Sequence, residues 1–291
     1  MNLFLEQMIH GITSGSAYTL MALGFTMVYG ILGIINFAHG ELYMIGAYIG
    51  YYLCLKLGFH YLLSIPVAML GVALIGILIE RVVFRPLRGA PGLSMLTVSL
   101  GLSIALLNTA LVVFTPDPRL FNSPYNFKFL EIGGISISVQ RIFIFLVAIG
   151  LIIALYFLIS RTYLGKAIRA TAQDFETAWM LGINPNRIAR YTFIIGSALA
   201  AAAGILIIPI LSLEPFVGEN AILKAFVVVV IGGFGSIPGA IVAGYFLGFI
   251  ESMTSGFLSP NYQNIISFFI MIVMLLIKPS GIFGEVTEEN I

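Results

Sequence analysis

Asn36, His39 and Glu41 stand close together in the stretch GIINFAHGELYMIGAYIG, between two apolar runs. An amide, an imidazole and a carboxylate so placed can hold a metal, relay a proton or hydrogen-bond a polar substrate. The rest of the chain narrows these options. Histidine occurs only at 10, 39 and 60, cysteine only at 54, and aspartate only at 117 and 174. There is no HExxH and no Cys/His cluster, so a resident metal is not expected. Both aspartates lie outside the apolar runs, which excludes an intramembrane protease of the diaspartyl type, and no Ser/His/Asp set can be placed in the membrane plane. GxSxG and GxxxxGK[ST] are absent, so the chain is not expected to hydrolyse esters or to bind ATP itself. A lone His-x-Glu lacks relay partners. Glu41 suits the first turn of a helix, where the positive end of the dipole favours a carboxylate.

A second polar interruption falls in VVIGGFGSIPGAIVAGYFLG (229–248), at Gly232, Gly233, Gly235, Ser236 and Pro238. Paired interruptions of apolar segments point to broken helices at a transport site, here near 31–41 and 231–239. Glycines four apart, at 46 and 50, 235 and 239, and 244 and 248, allow close helix packing without any substrate. Two readings therefore stand. The hinges line a translocation path, or they are tight turns and packing seams. GELYMIGAYIGYYL and GAIVAGYFLGFIES also share a weak internal similarity.

The elements that must position these residues follow from composition. The chain has 291 residues, 59% hydrophobic and 9% charged, with a mean hydropathy of +1.05. Soluble domains average about 25% charged residues, so this chain cannot cover a water-facing surface. The expected fold is all-α: a polytopic membrane protein, one transmembrane domain over 1–291, with eight or nine spans at roughly 9–31, 39–58, 61–83, 93–115, 139–160, 191–212, 219–233, 237–254 and 262–278. The run 219–233 is the doubtful one. A net charge of +1 suggests no nucleic-acid partner. Cys54 can form no intrachain disulfide and reads as a small core residue. MNLFLEQMIHG has no Lys or Arg ahead of the first run and reads as the start of a helix rather than a cleaved signal.

Orientation follows from Lys and Arg. Three basic residues (Arg81, Arg85, Arg88), five in 161–190 and Lys278 make nine on one side, against Lys56, Arg119, Lys128, Arg141 and Lys224 on the other. This bias puts 161–190 and the C-terminus in the cytoplasm, and the N-terminus and the 115–138 loop outside. That loop is rich in Pro, Asn and Gly and is expected to carry little regular helix. LEPFVGEN (213–220), with Glu214 and Glu219, is a second external segment, either a face that meets partner or substrate or a solvated loop. Glu80 is expected to be paired or hydrated beside Arg81, and Glu251 to lie at an interface. With almost no charge expected mid-span, the chain shows no energy source of its own.

Residues 161–190, RTYLGKAIRATAQDFETAWMLGINPNRIAR, are too polar for hydrocarbon. Thr171 and Asp174 have capping-box spacing, Gly182 is placed as a C-cap, and Asn184-Pro185 stops continuation. The spacing predicts a short cytoplasmic helix over 174–182. Phe175, Ala178, Trp179, Met180 and Leu181 give it an apolar surface rimmed by charge, suited to docking or to lying back on its own membrane domain.

Glu176-Thr-Ala178, three residues and then Gly182 resemble the EAA…G loop of ABC importer permeases. The later Ile-x-Leu-Pro of that loop is absent, since TFII stands at 192–195. GIINFAHGELYMIGAYIG, TAWMLGIN, VVVVIGGFGSIPGAIVAGYFLGFIE and the closing KPSGIFGE (278–285) look like the H-type permease subunit of high-affinity branched-chain amino acid importers. The resemblance spans nearly the whole chain. It implies a bacterial or archaeal cytoplasmic membrane and a system of five polypeptides: this permease, a second permease, two ATPase subunits that bind the ATP, and an extracytoplasmic binding protein delivering leucine, isoleucine or valine. It implies ATPase coupling through Glu176, Ala178, Trp179 and Gly182. It also directs attention to Asn36, His39, Gly233 and Ser236 as path residues. No cofactor or metal of its own is implied. Urea and short-amide importers use closely similar permeases and are the alternative, as is a self-sufficient channel or carrier.

Overall fold

The computed structural model describes residues 2–132 and 135–284. Gly133 and Gly134 of the long loop and Glu285, the last residue of the closing motif, lie outside them. The helices in chain order are α1 (Asn2–Leu32), α2 (His39–Leu55), α3 (Tyr61–Ile79), α4 (Gly92–Phe114), α5 (Val139–Arg161), α6 (Tyr163–Gln173), α7 (Phe175–Met180), α8 (Pro185–Ile207), α9 (Val217–Gly232), α10 (Ile237–Phe257) and α11 (Gln263–Ile277). A wider turn over Glu80–Phe84 prolongs α3.

Seven helices among the described residues are long and apolar enough to cross a membrane. The seventh is α11 together with the turn Pro260–Tyr262 before it, 18 residues in all; two more apolar helices, α2 with 17 residues and α9 with 16, are shorter. At ~1.5 Å per residue each is about 25 Å long, under the ~30 Å of hydrocarbon. The expected eight or nine apolar segments are thus nine helices, seven of them of spanning length. The two short ones follow or precede the expected breaks, at 33–38 between α1 and α2 and at 233–236 between α9 and α10.

Helices α1 and α8 form the centre, with α1 packed on α10 and α8, and α8 on α2 and α3. The run Ala200–Gly204 of α8 is wholly buried, and such small side chains let backbones approach closely. The expected glycine seams appear there: Gly46 lies on Ala201, Gly50 on Ile205, Gly244 on Thr19 and Gly248 on Gly15. Gly235 is the exception, lying in the second hinge with Gly30 as its nearest neighbour. Helices α4 and α11 are peripheral and turn Leu93, Val112, Ile265 and Leu276 outward, the surface expected to face lipid.

The 115–138 loop carries no long helix and instead forms an antiparallel hairpin, β1 (Phe129–Ile132) with β2 (Ile135–Ser138). The Val139 amide donates to the Lys128 carbonyl (2.8 Å), and Arg119 pairs with Leu213 of the α8–α9 linker. The bundle thus has a hairpin end, where α5 starts, and an α7 end, where α5 runs into α6.

Candidate functional site

At the α7 end the chain builds a short, rigidly capped projection. The Thr162 hydroxyl accepts from the Gly165 amide (3.1 Å) and starts α6. Asp174 then turns to extended backbone and caps α7. Its Oδ1 accepts from the amides of Glu176 (2.9 Å) and Thr177 (3.0 Å), and Oδ2 from the Thr177 hydroxyl. The Thr177 hydroxyl, then the backbone amides, hold the Asp174 carboxyl below the usual carboxylate range. The expected capping box from Thr171 does not form. Thr171 sits inside α6, a helix the sequence reading did not foresee, and its hydroxyl donates to the Ala167 carbonyl.

Gly182 ends α7 as expected, at φ +83°. The Ile183 amide donates to the Ala178 carbonyl and the Gly182 amide to that of Trp179, both at 3.0 Å, the paired bonds of a Schellman cap. Asn184 caps α8 through the Arg187 amide (3.2 Å), with Pro185 in its first turn. Of the four coupling candidates, Glu176 and Gly182 are exposed and Trp179 is 70% exposed, whereas Ala178 is 2% exposed and faces the chain. Met180 and Leu181 extend the apolar tip, at 83% and 75% exposure. Helix α7 packs on α6 and α8 and leaves this tip bare.

Behind the tip lies a polar bracket. Glu80 is fully buried and accepts from Arg88, and Arg190 stands 3.9 Å from its other oxygen. Arg88 also donates to the Asn186 side chain. The expected neighbour Arg81 is exposed and takes no part in the bracket.

The two hinges adjoin through aromatic rings: Phe37 meets Phe226 (6.4 Å), Phe226 meets Phe234 (6.2 Å) and Phe234 meets Tyr29 (4.5 Å). In the first hinge Asn36 and His39 are buried, and both Asn36 polar atoms and His39 Nε2 have no hydrogen-bond partner among the described residues. Glu41 lies in the first turn of α2, as expected. Its Oε1 accepts from the Ser103 hydroxyl (3.0 Å), while Oε2 is buried without a partner among the described residues. In the second hinge Gly233 takes φ +101°, and the chain's own closing segment lies on it. The Ile282 amide donates to the Ile231 carbonyl (2.8 Å) and the Phe283 amide to that of Gly232 (3.0 Å). Ser236 caps α10 by accepting from the Gly239 amide (3.1 Å). It also lines a largely apolar cavity of about 350 Å³ at the α7 end, with Thr26, Ile159 and Arg169. Asn36, His39 and Gly233 line neither this cavity nor the next one.

A larger cavity, about 510 Å³, opens at the hairpin end between the starts of α1, α5 and α11, the end of α10 and the side of α9. On its wall Lys224 is ion-paired with Glu251. Glu251 also accepts from the Tyr18 hydroxyl (2.7 Å) and from Ser267. Here the structure adds to the sequence reading. Lys224, counted with the basic residues of the outer side, lies in the middle of α9 inside the bundle, and Glu251, expected at an interface, is 3% exposed. The bundle therefore does hold buried charge. One signal was present: an ionisable residue within an apolar run marks a functional or paired site. The partner, 27 residues away on another helix, was not legible.

A family model described as "Branched-chain amino acid transport system / permease component" matches residues 7–275. The chain is 40% identical to the high-affinity branched-chain amino acid transport system permease protein BraD of Pseudomonas aeruginosa, over 99% of this chain and 98% of the relative. It is equally similar, with the same coverage, to the permease protein LivH of Escherichia coli K12. The permease protein LivM of the same organism is 30% identical over 91% of this chain and 67% of its own length. No solved structure matches. An all-helical bundle with seven spanning helices, two broken segments and a bare capped helix at one end, matched over nearly its whole length, belongs to the family of branched-chain amino acid transport system permease components.

Proposed function

We propose that the protein is the permease subunit of an ATP-driven importer for branched-chain amino acids in a bacterial or archaeal cytoplasmic membrane. The observation that carries this reading is the similarity to BraD and LivH over both whole chains. A second, homologous permease is its membrane partner, in keeping with the similarity to LivM. Two ATPase subunits bind and hydrolyse the ATP at the α7 end, and an extracytoplasmic binding protein delivers leucine, isoleucine or valine to the hairpin end.

The bare tip of α7 supports this division of labour. Trp179, Met180 and Leu181 are apolar and uncovered, next to exposed Glu176, as a helix seated in a groove of another subunit requires. Ala178 and Gly182 serve differently, Ala178 by seating α7 on the bundle and Gly182 by ending it.

The test is uptake of labelled leucine, isoleucine and valine by proteoliposomes carrying the complete five-component system. Wild-type vesicles accumulate all three only with ATP and the binding protein. Trp179→Asp, on an exposed side chain, leaves the fold intact and abolishes ATPase retention and uptake. Uptake of urea or short amides in place of these amino acids overturns the substrate. Flux through vesicles holding this chain alone overturns the importer.

A further inference from the structure

The cavity at the hairpin end has a chemistry that neither the hinges nor α7 share. Its inner wall carries the Lys224–Glu251 pair, and its rim carries Arg141 and Glu214. Its lining also includes the apolar side chains of Ala17, Met21, Ile207 and Val217. We infer that this chamber is a binding site for the α-ammonium, α-carboxylate and aliphatic side chain of a free amino acid on its way through the permease. The inference rests on the proposed function and adds to it the groups that hold the substrate.

Hydrogen-bond capacity supports this assignment. A lysine ammonium has three N–H donors. Lys224 uses one on Glu251 and one on Ser267 (3.2 Å), so one is left for the chamber. A carboxylate has about four acceptor sites. Glu251 uses three, for Lys224, Ser267 and Tyr18, so one is left. The buried pair therefore offers one charged donor and one charged acceptor side by side. A zwitterion presents the complementary set, with its carboxylate to Lys224 and its ammonium to Glu251.

Arg141 and Glu214 make no side-chain hydrogen bond or ion pair within the described residues that would tie them to the fold. They line the mouth with one charge of each sign, fitted to receive the same two groups at entry. A volume of about 510 Å³ lies in the range of small-molecule sites. Ala17, Met21, Ile207 and Val217 in the lining give a branched side chain a surface to displace water from. Urea lacks both charges and the side chain, so the chamber favours an aliphatic amino acid over it.

The test uses the complete importer in proteoliposomes, with leucine uptake and binding-protein-stimulated ATP hydrolysis measured together. Arg141→Gln and Glu214→Gln, which break no internal contact, raise the leucine concentration needed for half-maximal uptake or slow uptake by about tenfold, the loss of one charge-assisted hydrogen bond. Lys224→Met abolishes uptake while stimulated ATP hydrolysis persists. The swap Lys224→Glu with Glu251→Lys keeps an ion pair but reverses its polarity against the fixed rim, so the complex assembles and uptake is not restored.

Wild-type uptake in both rim variants overturns the inference, and so does a swap that restores full uptake, since the pair then acts only as a strut. If Lys224→Met fails to assemble, the rim variants decide. Wild-type importer that moves no branched-chain amino acid defeats the proposed function before any variant is read. Leucine uptake that all these variants leave unchanged defeats the chamber alone.

Discussion

Arg88 donates its guanidinium to the side-chain oxygen of Asn186, 98 positions later in the chain. The same guanidinium holds buried Glu80 at the end of α3. Asn186 stands in the first turn of α8, two residues after the Asn184 cap that closes the α7 segment. The contact thus ties the helix that leaves α7 to a helix of the bundle.

Arg88→Ala strips buried Glu80 of its nearest partner and leaves Arg190 at 3.9 Å. Removing one member of a buried pair costs about 3–5 kcal/mol. The purified protein is expected to unfold at a clearly lower temperature, and adding Glu80→Gln to Arg88→Ala recovers much of the loss. A single variant as stable as wild type refutes the bracket.

Asp174 gives the α7 segment a pH dependence with a definite sign. Its carboxyl lies below the usual range in the folded chain, so its contribution is complete above the unfolded value of about 4. It is lost as pH falls through the lower, folded value. Amide exchange at Glu176 and Thr177, corrected for intrinsic rates, is expected to accelerate in that acid window. Asp174→Asn keeps an accepting oxygen that does not titrate and removes the acid dependence.

Truncation after Pro279 removes the amides of Ile282 and Phe283 from the carbonyls of Ile231 and Gly232. Two hydrogen bonds at about 1 kcal/mol each predict a loss near 2 kcal/mol. Gly233→Ala acts at the same place, because a Cβ there runs into the Gly284 backbone. Both variants are expected to loosen the end of α9 in hydrogen exchange. Protection equal to wild type in both means the closing segment does not hold the hinge.

Gly46→Leu drives a side chain into the Ala201 backbone and is expected to cost at least about 1–3 kcal/mol as overpacking. Gly101→Leu on peripheral α4 meets open space and should leave stability near wild type. Thermal unfolding of the two proteins side by side checks the difference.

What the sequence by itself determined is what depends on local pattern. Apolar runs located the nine apolar helices, most within about four residues, though α1 and α8 begin six or seven residues earlier than their runs, since hydrocarbon thickness sets their length. Gly182 and Asn184-Pro185 marked the end of α7, since few residues tolerate those backbone angles. The family motifs fell on both hinges and on α7. Tertiary structure decided which distant residues meet. Thr171 lost its expected capping role because α6 was already using its backbone, and Ala178 turned inward because its face of α7 is the one that meets the bundle. Lys224 and Glu251 look like two isolated charges in the chain, one counted for the outer side and one expected at an interface. Only the packing of α9 against α10 and α11 brings them together, because a buried charge is stable only where another helix supplies its counter-charge.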